Sequence, residues 1–276
     1  MTTAPDLNAL SAKALWVRRE TLLLHGRAPE TRVASSLSAV ELFVALHYAG
    51  IMAFNPAEPF WPGRDRLIIS KGHGSICYYP ILADLGYFPL AELERICLPG
   101  SFLGGIPDTI IPGYETINGS LGHGLGVACG MALALKQTGS PSTIYVMVGD
   151  GELNEGSVWE GVMFASQHRL DNIVLLVDQN KICMLDRSER VINLEPLDPR
   201  FSAFGWATHR IDGHDLAQVC ATLDSCKQDR GGVPKVIIAD TVKGKGVPVL
   251  ETDTLCHVKS LNAAELQAAL EGLSCP

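Results

Sequence analysis

The stretch Ile144–Asp186, IYVMVGDGELNEGSVWEGVMFASQHRLDNIVLLVDQNKICMLD, decides the fold. An apolar run (Ile144–Val148) ends at Gly149-Asp150-Gly151. After a helix-length segment, a second apolar run (Ile173–Val177) ends at Asp178-Gln179-Asn180. Short β-branched runs separated by a helix predict a βαβ unit with parallel strands and a right-handed crossover. We therefore expect an α/β fold with a central parallel sheet and helices on both faces.

Polar side chains follow both strands of this unit. Asp150 offers a carboxylate and Asn180 an amide oxygen at carboxyl ends of strands, where open parallel sheets bind ligands. Two hard oxygen ligands suit Mg²⁺ or Ca²⁺, and Mg²⁺ completes its shell with phosphate oxygens and water. Gly149 and Gly151 let the backbone approach an anion, toward which the following helix would direct its positive end. The pattern indicates a metal that bridges a diphosphate to the protein, although an ordinary Gly-Asp-Gly turn with a surface asparagine is the alternative.

This pattern resembles the thiamin diphosphate signature of the transketolase family, Gly-Asp-Gly followed by Asn one helix and one strand later. The resemblance implies a thiamin diphosphate-binding fold and bound Mg²⁺, with Ca²⁺ as a substitute. It implies that Asp150, the Asn180 side chain and the main-chain carbonyl of Ile182 are the metal ligands. In this stretch the cofactor-binding residues that it implies are Gly149, Asp150, Gly151, Glu152, Asn180 and Ile182.

Two histidines match positions of the same family. A lone histidine in a turn is commonly solvated or bonded to the backbone. However, Ser70 to His73 resembles the family's Ser-x-Gly-His segment, whose histidine faces the cofactor. The resemblance makes His73 a catalytic and cofactor-binding residue, since an imidazole beside a diphosphate can donate hydrogen bonds and shuttle protons. His257 resembles, more loosely, a histidine that contacts the diphosphate, which makes it a second candidate catalytic and cofactor-binding residue. Val258 follows it where the family usually has Gly.

A long loop rich in Gly and Pro (Pro99–Gly119) leads into Gly119-Ser120-Leu121-Gly122-His123-Gly124. Loops of this length are usually functional. The glycines permit either close approach to a flat ligand or close helix packing. The segment is similar to the family's G-x-L-G-x-G stretch, which implies that Gly119 and Leu121 frame the aminopyrimidine and the diphosphate.

Glu152, Glu155 and Glu160 cluster near the predicted metal. Because Trp159 and Met163 share their helix, we expect that helix to be largely buried, so that its carboxylates need partners. A solvated acidic face is the alternative. The resemblance places Glu155 and Glu160 near a subunit contact that links two active sites, which makes Glu155 a candidate catalytic residue.

Three further segments carry expectations. Ser35 or Ser36 is expected to cap a helix. The chain from Asp186 to Pro199 is expected to be a loop. Thr241–Gly246, a basic glycine-containing loop after the predicted strand Lys235–Asp240, can position a polyanion or be a solvated loop.

Length and composition limit the function classes. With 276 residues and 47% hydrophobic residues, we expect a single diphosphate-binding domain over residues 1–276. The net charge of −8 argues against nucleic-acid or anionic-membrane partners. No apolar run reaches the ~20 residues of a membrane span, and no secretory signal is evident. The eight cysteines form no C-x-x-C pair, so we expect reduced thiols in a cytoplasmic protein.

The resemblance covers only the diphosphate-binding domain of full-length transketolases. The glutamate that protonates the aminopyrimidine lies on the part that is not matched. The chain thus resembles the N-terminal subunit of a split transketolase. This implies a C-terminal transketolase subunit carrying the pyrimidine-binding domain as partner, an α₂β₂ assembly, and two-carbon ketol transfer from a ketose to an aldose.

Two departures from the family bear on the sugar. Arg32-Val33-Ala34 and Gly105-Ile106-Pro107 stand where the family has Gly-His-Pro, whose histidines contact the donor's hydroxyls. Their replacement suggests another donor, a branched, modified or phosphorylated ketose or a 2-oxo acid. Arg32 would offer a cation to an anionic group or be a surface charge. A subunit of a 2-oxo acid-using thiamin diphosphate enzyme and a degenerate regulatory or scaffold subunit are the rival hypotheses.

Overall fold

The computed structural model describes residues 5–184 and 186–273. Its strands are β1 (Arg66–Ile69), β2 (Ile144–Gly149), β3 (Ile173–Gln179), β4 (Ile182–Cys183), β5 (Asp186–Arg187), β6 (Ala207–Asp212) and β7 (Lys235–Asp240). Five of them form one parallel sheet in the order β1-β2-β3-β7-β6, and β4 pairs with β5 as an antiparallel hairpin.

Helices precede, connect and follow these strands. They are α1 (Leu7–Arg27), α2 (Val33–Leu37), α3 (Val40–Tyr48), α4 (Tyr78–Asp84), α5 (Gly124–Gln137), α6 (Gly156–Gln167), α7 (Ser188–Val191), α8 (Leu197–Ala203), α9 (Leu216–Gln228), α10 (Pro248–Glu251) and α11 (Ala263–Gly272). Short 3₁₀ turns lie at Gly72–Gly74, Leu90–Arg95 and Gly151–Asn154.

Both faces of the sheet are covered, as its alternating side chains require. Tyr145 and Met147 of β2 pack in a core with side chains of α1, α3, α4 and α9. Val146 and Val148 point the other way, into a second core with side chains of α5, α6 and α8. The predicted α/β class, with helices on both faces of a parallel sheet, is confirmed.

The βαβ unit forms where the sequence predicts it. β2 and β3 are parallel, with Gly149 opposite Asp178, so both strands end at the same edge. The helix begins later than predicted. A 3₁₀ turn follows Asp150, and Glu155 is extended (φ −76°, ψ 124°), so α6 starts only at Gly156.

Two local expectations are wrong. Ser35 and Ser36 cap no helix; both lie inside α2, and α3 begins after Ala39 without a side-chain cap. The segment Asp186–Pro199 is not a plain loop, since it contains β5, α7 and the start of α8. Elements of two to four residues are too short to show a period in the sequence.

The seven cysteines within the described ranges are free thiols, and Cys275 lies outside those ranges. Among the described helices, none combines the length and the apolar character needed to cross a bilayer.

Candidate active site

Asp150 lies directly after β2 and is 6% exposed. Its Oδ1 accepts a hydrogen bond from the Gly151 amide (2.8 Å). Its Oδ2 accepts from the Lys181 amide (2.7 Å) and from the Ser188 hydroxyl (2.8 Å). Burial raises the pKa of this carboxyl, although Ser188 and the nearby Lys243 act against that rise. A desolvated carboxylate at a strand end gains from a nearby cation.

Asn180 follows β3, and its neighbour Lys181 bonds to Asp150, which brings the two predicted ligands to adjacent strand ends. The Asn180 amide nitrogen donates to the main-chain carbonyl (3.3 Å) and the Oδ2 atom (3.1 Å) of Asp178. The amide oxygen accepts from the Ile182 N–H (3.3 Å).

The carbonyl of Ile182, the third predicted ligand, accepts a hydrogen bond from the Lys243 ammonium (2.9 Å). Lys243 is buried, and burial lowers its pKa while the charge of Asp150 acts in the opposite direction. Within residues 5–184 and 186–273, no three His, Cys, Asp or Glu side chains converge on a metal position. A carboxylate, an amide and a carbonyl oxygen are nevertheless a donor set that fits Mg²⁺ held together with phosphate oxygens.

His73 and His257 lie side by side, with ring centroids 5.0 Å apart. Lys243 donates to His257 Nδ1 (3.0 Å), so the ring proton of the neutral imidazole is on Nε2. Burial and the charge of Lys71 lower the pKa of His73 to about 3. Burial and the charges of Lys243 and Arg32 lower that of His257 to about 4. Both rings are therefore neutral donors at physiological pH.

Glu152, which is 2% exposed, connects the glycine loop to the sheet. Its Oε1 accepts from the Gly122 amide (2.8 Å) and from the Ser70 hydroxyl. Its Oε2 accepts from the Gly149 amide (3.4 Å). Burial raises the pKa of Glu152, and the hydrogen bonds from these donors lower it by less. Both oxygens are used within the protein, so Glu152 holds the loop beside the site.

Residues 32–274 match the family model of the transketolase thiamine diphosphate-binding domain. The chain belongs to the transketolase family. This confirms the predicted family, its fold and its class, a transketolase-type transferase.

Two relatives of similar length are named as transketolase subunits. Over 96% of its length the chain is 38% identical to the 6-deoxy-6-sulfo-D-fructose transketolase subunit of Clostridium sp. (strain MSTE9), and it covers 96% of that protein. It is also 38% identical, over 96% of its length, to an apulose-4-phosphate transketolase subunit of Actinobacillus succinogenes, of which it covers 95%.

Longer transketolases match over less than half of their length. The crystal structure of transketolase from Campylobacter jejuni superimposes with a TM-score of 0.90 at 30% identity, covering 98% of this chain and 43% of that one. Human transketolase is 35% identical over 94% of this chain and 41% of its own length.

The remaining predicted residues of this transketolase-family site lie around the strand ends. Gly151 is closely approached by another side chain, because a Cβ there would lie 3.0 Å from Cys183 Sγ and would require Cys183 to shift slightly. Gly119 is exposed and Leu121 half-buried, in the loop whose Gly122 bonds to Glu152. These positions are compatible with a ligand that approaches the backbone closely. The contacts of Gly119 and Leu121 with the cofactor stay predictions.

The expected burial of the glutamate-bearing helix is wrong in part. Only Glu152 is buried; Glu155 and Glu160 are exposed. Met163, at 48% exposure, and Phe164 are exposed as well. The helix therefore has one apolar face against the sheet and one uncovered face that mixes acidic and apolar side chains.

Three site residues were not singled out from the sequence. Ser188 lies in the segment that was expected to be a loop. Lys243 belongs to the basic loop that is predicted to position a polyanion, but the sequence does not indicate that this lysine is buried. Lys71 occupies the variable position of the Ser70 to His73 segment, and nothing in the sequence indicates that this lysine is buried.

Proposed function

We propose that the chain binds thiamin diphosphate through Mg²⁺, or Ca²⁺ as a substitute, held by Asp150, Asn180 and the carbonyl of Ile182. The observation that carries this proposal is the convergence of these oxygen donors at adjacent strand ends, beside the buried cation Lys243. Oxygen-only donors with a neighbouring cation suit a metal–diphosphate pair. Lys243 would contact the diphosphate.

The bound cofactor would supply the carbon nucleophile that transketolase chemistry needs, and the chain would supply orientation and protons. His73 and His257, as neutral donors, would hydrogen-bond to the phosphate or the substrate and move protons at Nε2. Gly149, Gly151, Gly119 and Leu121 would let the cofactor approach the backbone. Glu155 would act at the subunit contact, where its exposed side chain is available.

The partner would be a C-terminal transketolase subunit that carries the pyrimidine-binding domain, in an α₂β₂ assembly. The uncovered face of α5 and α6 supports this, because Val127, Met163 and Phe164 are exposed there beside Glu155 and Glu160. Relatives of the same length are named as subunits. In this proposal residues 1–276 form a single diphosphate-binding domain of a cytoplasmic enzyme.

The reaction would transfer a two-carbon ketol unit from a modified or branched ketose to an aldose. Arg32 supports an anionic donor, because its guanidinium has no ion pair or hydrogen bond among the described residues. Its charge nevertheless lowers the pKa of both His73 and His257, so it lies near them. The relatives named for 6-deoxy-6-sulfo-D-fructose and apulose 4-phosphate act on sugars of this kind.

Calorimetry of the chain with thiamin diphosphate and Mg²⁺, with and without the partner subunit, tests this function. We expect metal-dependent cofactor binding in the reconstituted complex, and its loss in Asp150→Ala. No binding in that complex would support a scaffold role instead. A separate assay of turnover tests the rival enzyme class, which release of CO₂ from a 2-oxo acid, with no ketose accepted as donor, would support.

A further inference from the structure

Asp178 is a fully buried carboxylate at the end of β3, two residues before Asn180. Its Oδ2 accepts hydrogen bonds from the Lys71 ammonium, the Ser38 hydroxyl (2.6 Å) and the Asn180 amide nitrogen (3.1 Å). Its Oδ1 accepts from the Thr241 hydroxyl. One carboxylate thus receives four side-chain donors.

These donors come from separate parts of the fold. Lys71 follows β1, Ser38 lies between α2 and α3, and Thr241 follows β7. Lys71 is itself buried, and it also donates to the Ser35 carbonyl (3.1 Å). A buried ion pair is retained only when its remaining polar atoms are bonded, as they are here.

The pairing decides how the Asn180 amide is oriented. A carboxylate and a main-chain carbonyl only accept hydrogen bonds, so the side of the amide that meets Asp178 must be the nitrogen. The oxygen then faces Ile182, whose N–H it accepts. In the flipped amide the oxygen would meet two acceptors, and the side toward Ile182 would present an NH₂ group, which cannot ligate a metal.

We infer that Asp178, paired with Lys71, is a positioning residue that fixes the Asn180 amide with its oxygen toward the metal. This inference rests on the proposed function, because it takes Asn180 to be a metal ligand. Residues that orient metal ligands typically change metal affinity by about 10- to 100-fold when they are replaced. The effect requires a hydrogen-bond acceptor at position 178, and it does not require a charge.

Two double variants separate the acceptor from the charge. Asp178→Asn/Lys71→Met removes both charges and keeps an oxygen that can accept from Asn180. Asp178→Leu/Lys71→Met removes the charges and the acceptor at similar volume. Mn²⁺ affinity is measured by electron paramagnetic resonance in the full chain assembled with its partner, with thiamin diphosphate present. The thermal midpoint without metal reports stability.

We expect Mn²⁺ affinity within about threefold of wild type for the asparagine double variant. We expect a loss of about 10- to 100-fold for the leucine one, at comparable metal-free midpoints. Equal Mn²⁺ affinities in the two double variants would overturn the inference. A folded asparagine double variant that loses as much Mn²⁺ affinity as Asn180→Ala would overturn it as well. If the leucine variant does not fold, Asp178→Val/Lys71→Met, which removes the same acceptor, replaces it.

Two single variants complete the design. Ser38→Ala removes another donor to the same carboxylate oxygen without touching Asn180, and it should leave Mn²⁺ affinity unchanged. Asn180→Ala tests the ligand itself. If it leaves Mn²⁺ affinity unchanged, the proposed metal site is wrong. If it weakens binding while the leucine double variant does not, only the role of Asp178 is wrong.

Discussion

The ammonium nitrogen of Lys243 lies 2.9 Å from the carbonyl oxygen of Ile182, the main-chain atom predicted to hold the metal. A metal at that carbonyl therefore competes with this ammonium. The same ammonium also donates to His257 Nδ1, so it has a second position available on the side where a diphosphate is expected.

Lys243→Met is expected to change the affinities for metal and cofactor in opposite directions. Mn²⁺ alone should bind about tenfold tighter, because a like charge beside the site is removed. Thiamin diphosphate in saturating Mg²⁺ should bind about tenfold more weakly, because a charged hydrogen bond is lost. Calorimetry measures both. Lys245→Met, two residues along the same loop, is the control, and changes of the same sign would contradict the assignment.

The two histidines predict a pH dependence of stability. Their pKa values fall from 6.5 to about 3 in His73 and to about 4 in His257. Below pH 6.5 these histidines bind protons in the unfolded chain but not in the folded chain. The free energy of unfolding therefore decreases as the pH falls toward 4. His73→Asn/His257→Asn should flatten the decrease in thermal midpoint between pH 7 and 5.

His47 provides the comparison for that experiment. It is a buried histidine outside the site, and burial lowers its pKa to about 4. His47→Gln should also flatten the pH dependence, but it should leave thiamin diphosphate affinity unchanged. An unaltered slope in the His73/His257 double variant would show that these rings titrate normally.

Gly122 must be a glycine in this fold. Its φ is +85°, and a Cβ there would lie 2.5 Å from Ser157 Oγ and 2.8 Å from Glu155 Cβ. Gly122→Ala is expected to destabilise the chain by about 1–3 kcal/mol in urea unfolding. Gly130→Ala, with no atom within 4 Å of the new Cβ, should instead be neutral or stabilising by up to about 1 kcal/mol. Equal effects would contradict the strain at Gly122.

The uncovered face of α6 predicts where the partner binds. Met163→Glu should weaken the heteromeric complex by at least about tenfold in analytical ultracentrifugation, because a charge is buried in an apolar contact. It should leave the midpoint of the isolated chain unchanged. Leu90→Glu has a similar exposure, 53% against 48%, on another part of the surface. Equal loss of assembly in both variants would place the contact elsewhere.

Arg32 is expected to set the preference for charged donors. With the partner present, Arg32→Ala should lower kcat/KM for a phosphorylated or sulfonated ketose by about 10- to 100-fold, the worth of a charge-assisted contact. It should change kcat/KM for an uncharged ketose by less than about threefold. Arg27→Ala, an exposed arginine at the end of α1, is the control. A uniform loss on both donors would give Arg32 a structural role.

The central unit was predictable because its strands are continuous β-branched runs with glycines at the ends. The strand Lys235–Asp240 has the bounds that the sequence predicts. Asp150 and Asn180 were identifiable because they follow such strands. Their convergence at one edge depends only on parallel pairing, which the helix-length separation between the strands already requires.

Other parts of the site depend on contacts between distant segments. The pairing of Lys71 with Asp178 joins two strands that are not neighbours in the chain. Lys71 occupies the variable position of the Ser-x-Gly-His segment, so the motif gives no sign of this partner. The exposure of Glu155 follows from the extended residue that delays α6, which composition does not encode. Ser188 reaches Asp150 from a helix too short to leave a periodic signal.

The link from Gly122 through Glu152 to the end of β2 has a consequence for regulation. Glu155 packs against Gly122 at the surface offered to a partner, and the Gly122 amide is bonded to Glu152, two residues from Asp150. Docking of the second chain and occupancy of the vitamin site are therefore coupled through this chain of contacts. By thermodynamic reciprocity, the factor by which the second chain raises the affinity for the vitamin equals the factor by which the bound vitamin raises the affinity between the two chains.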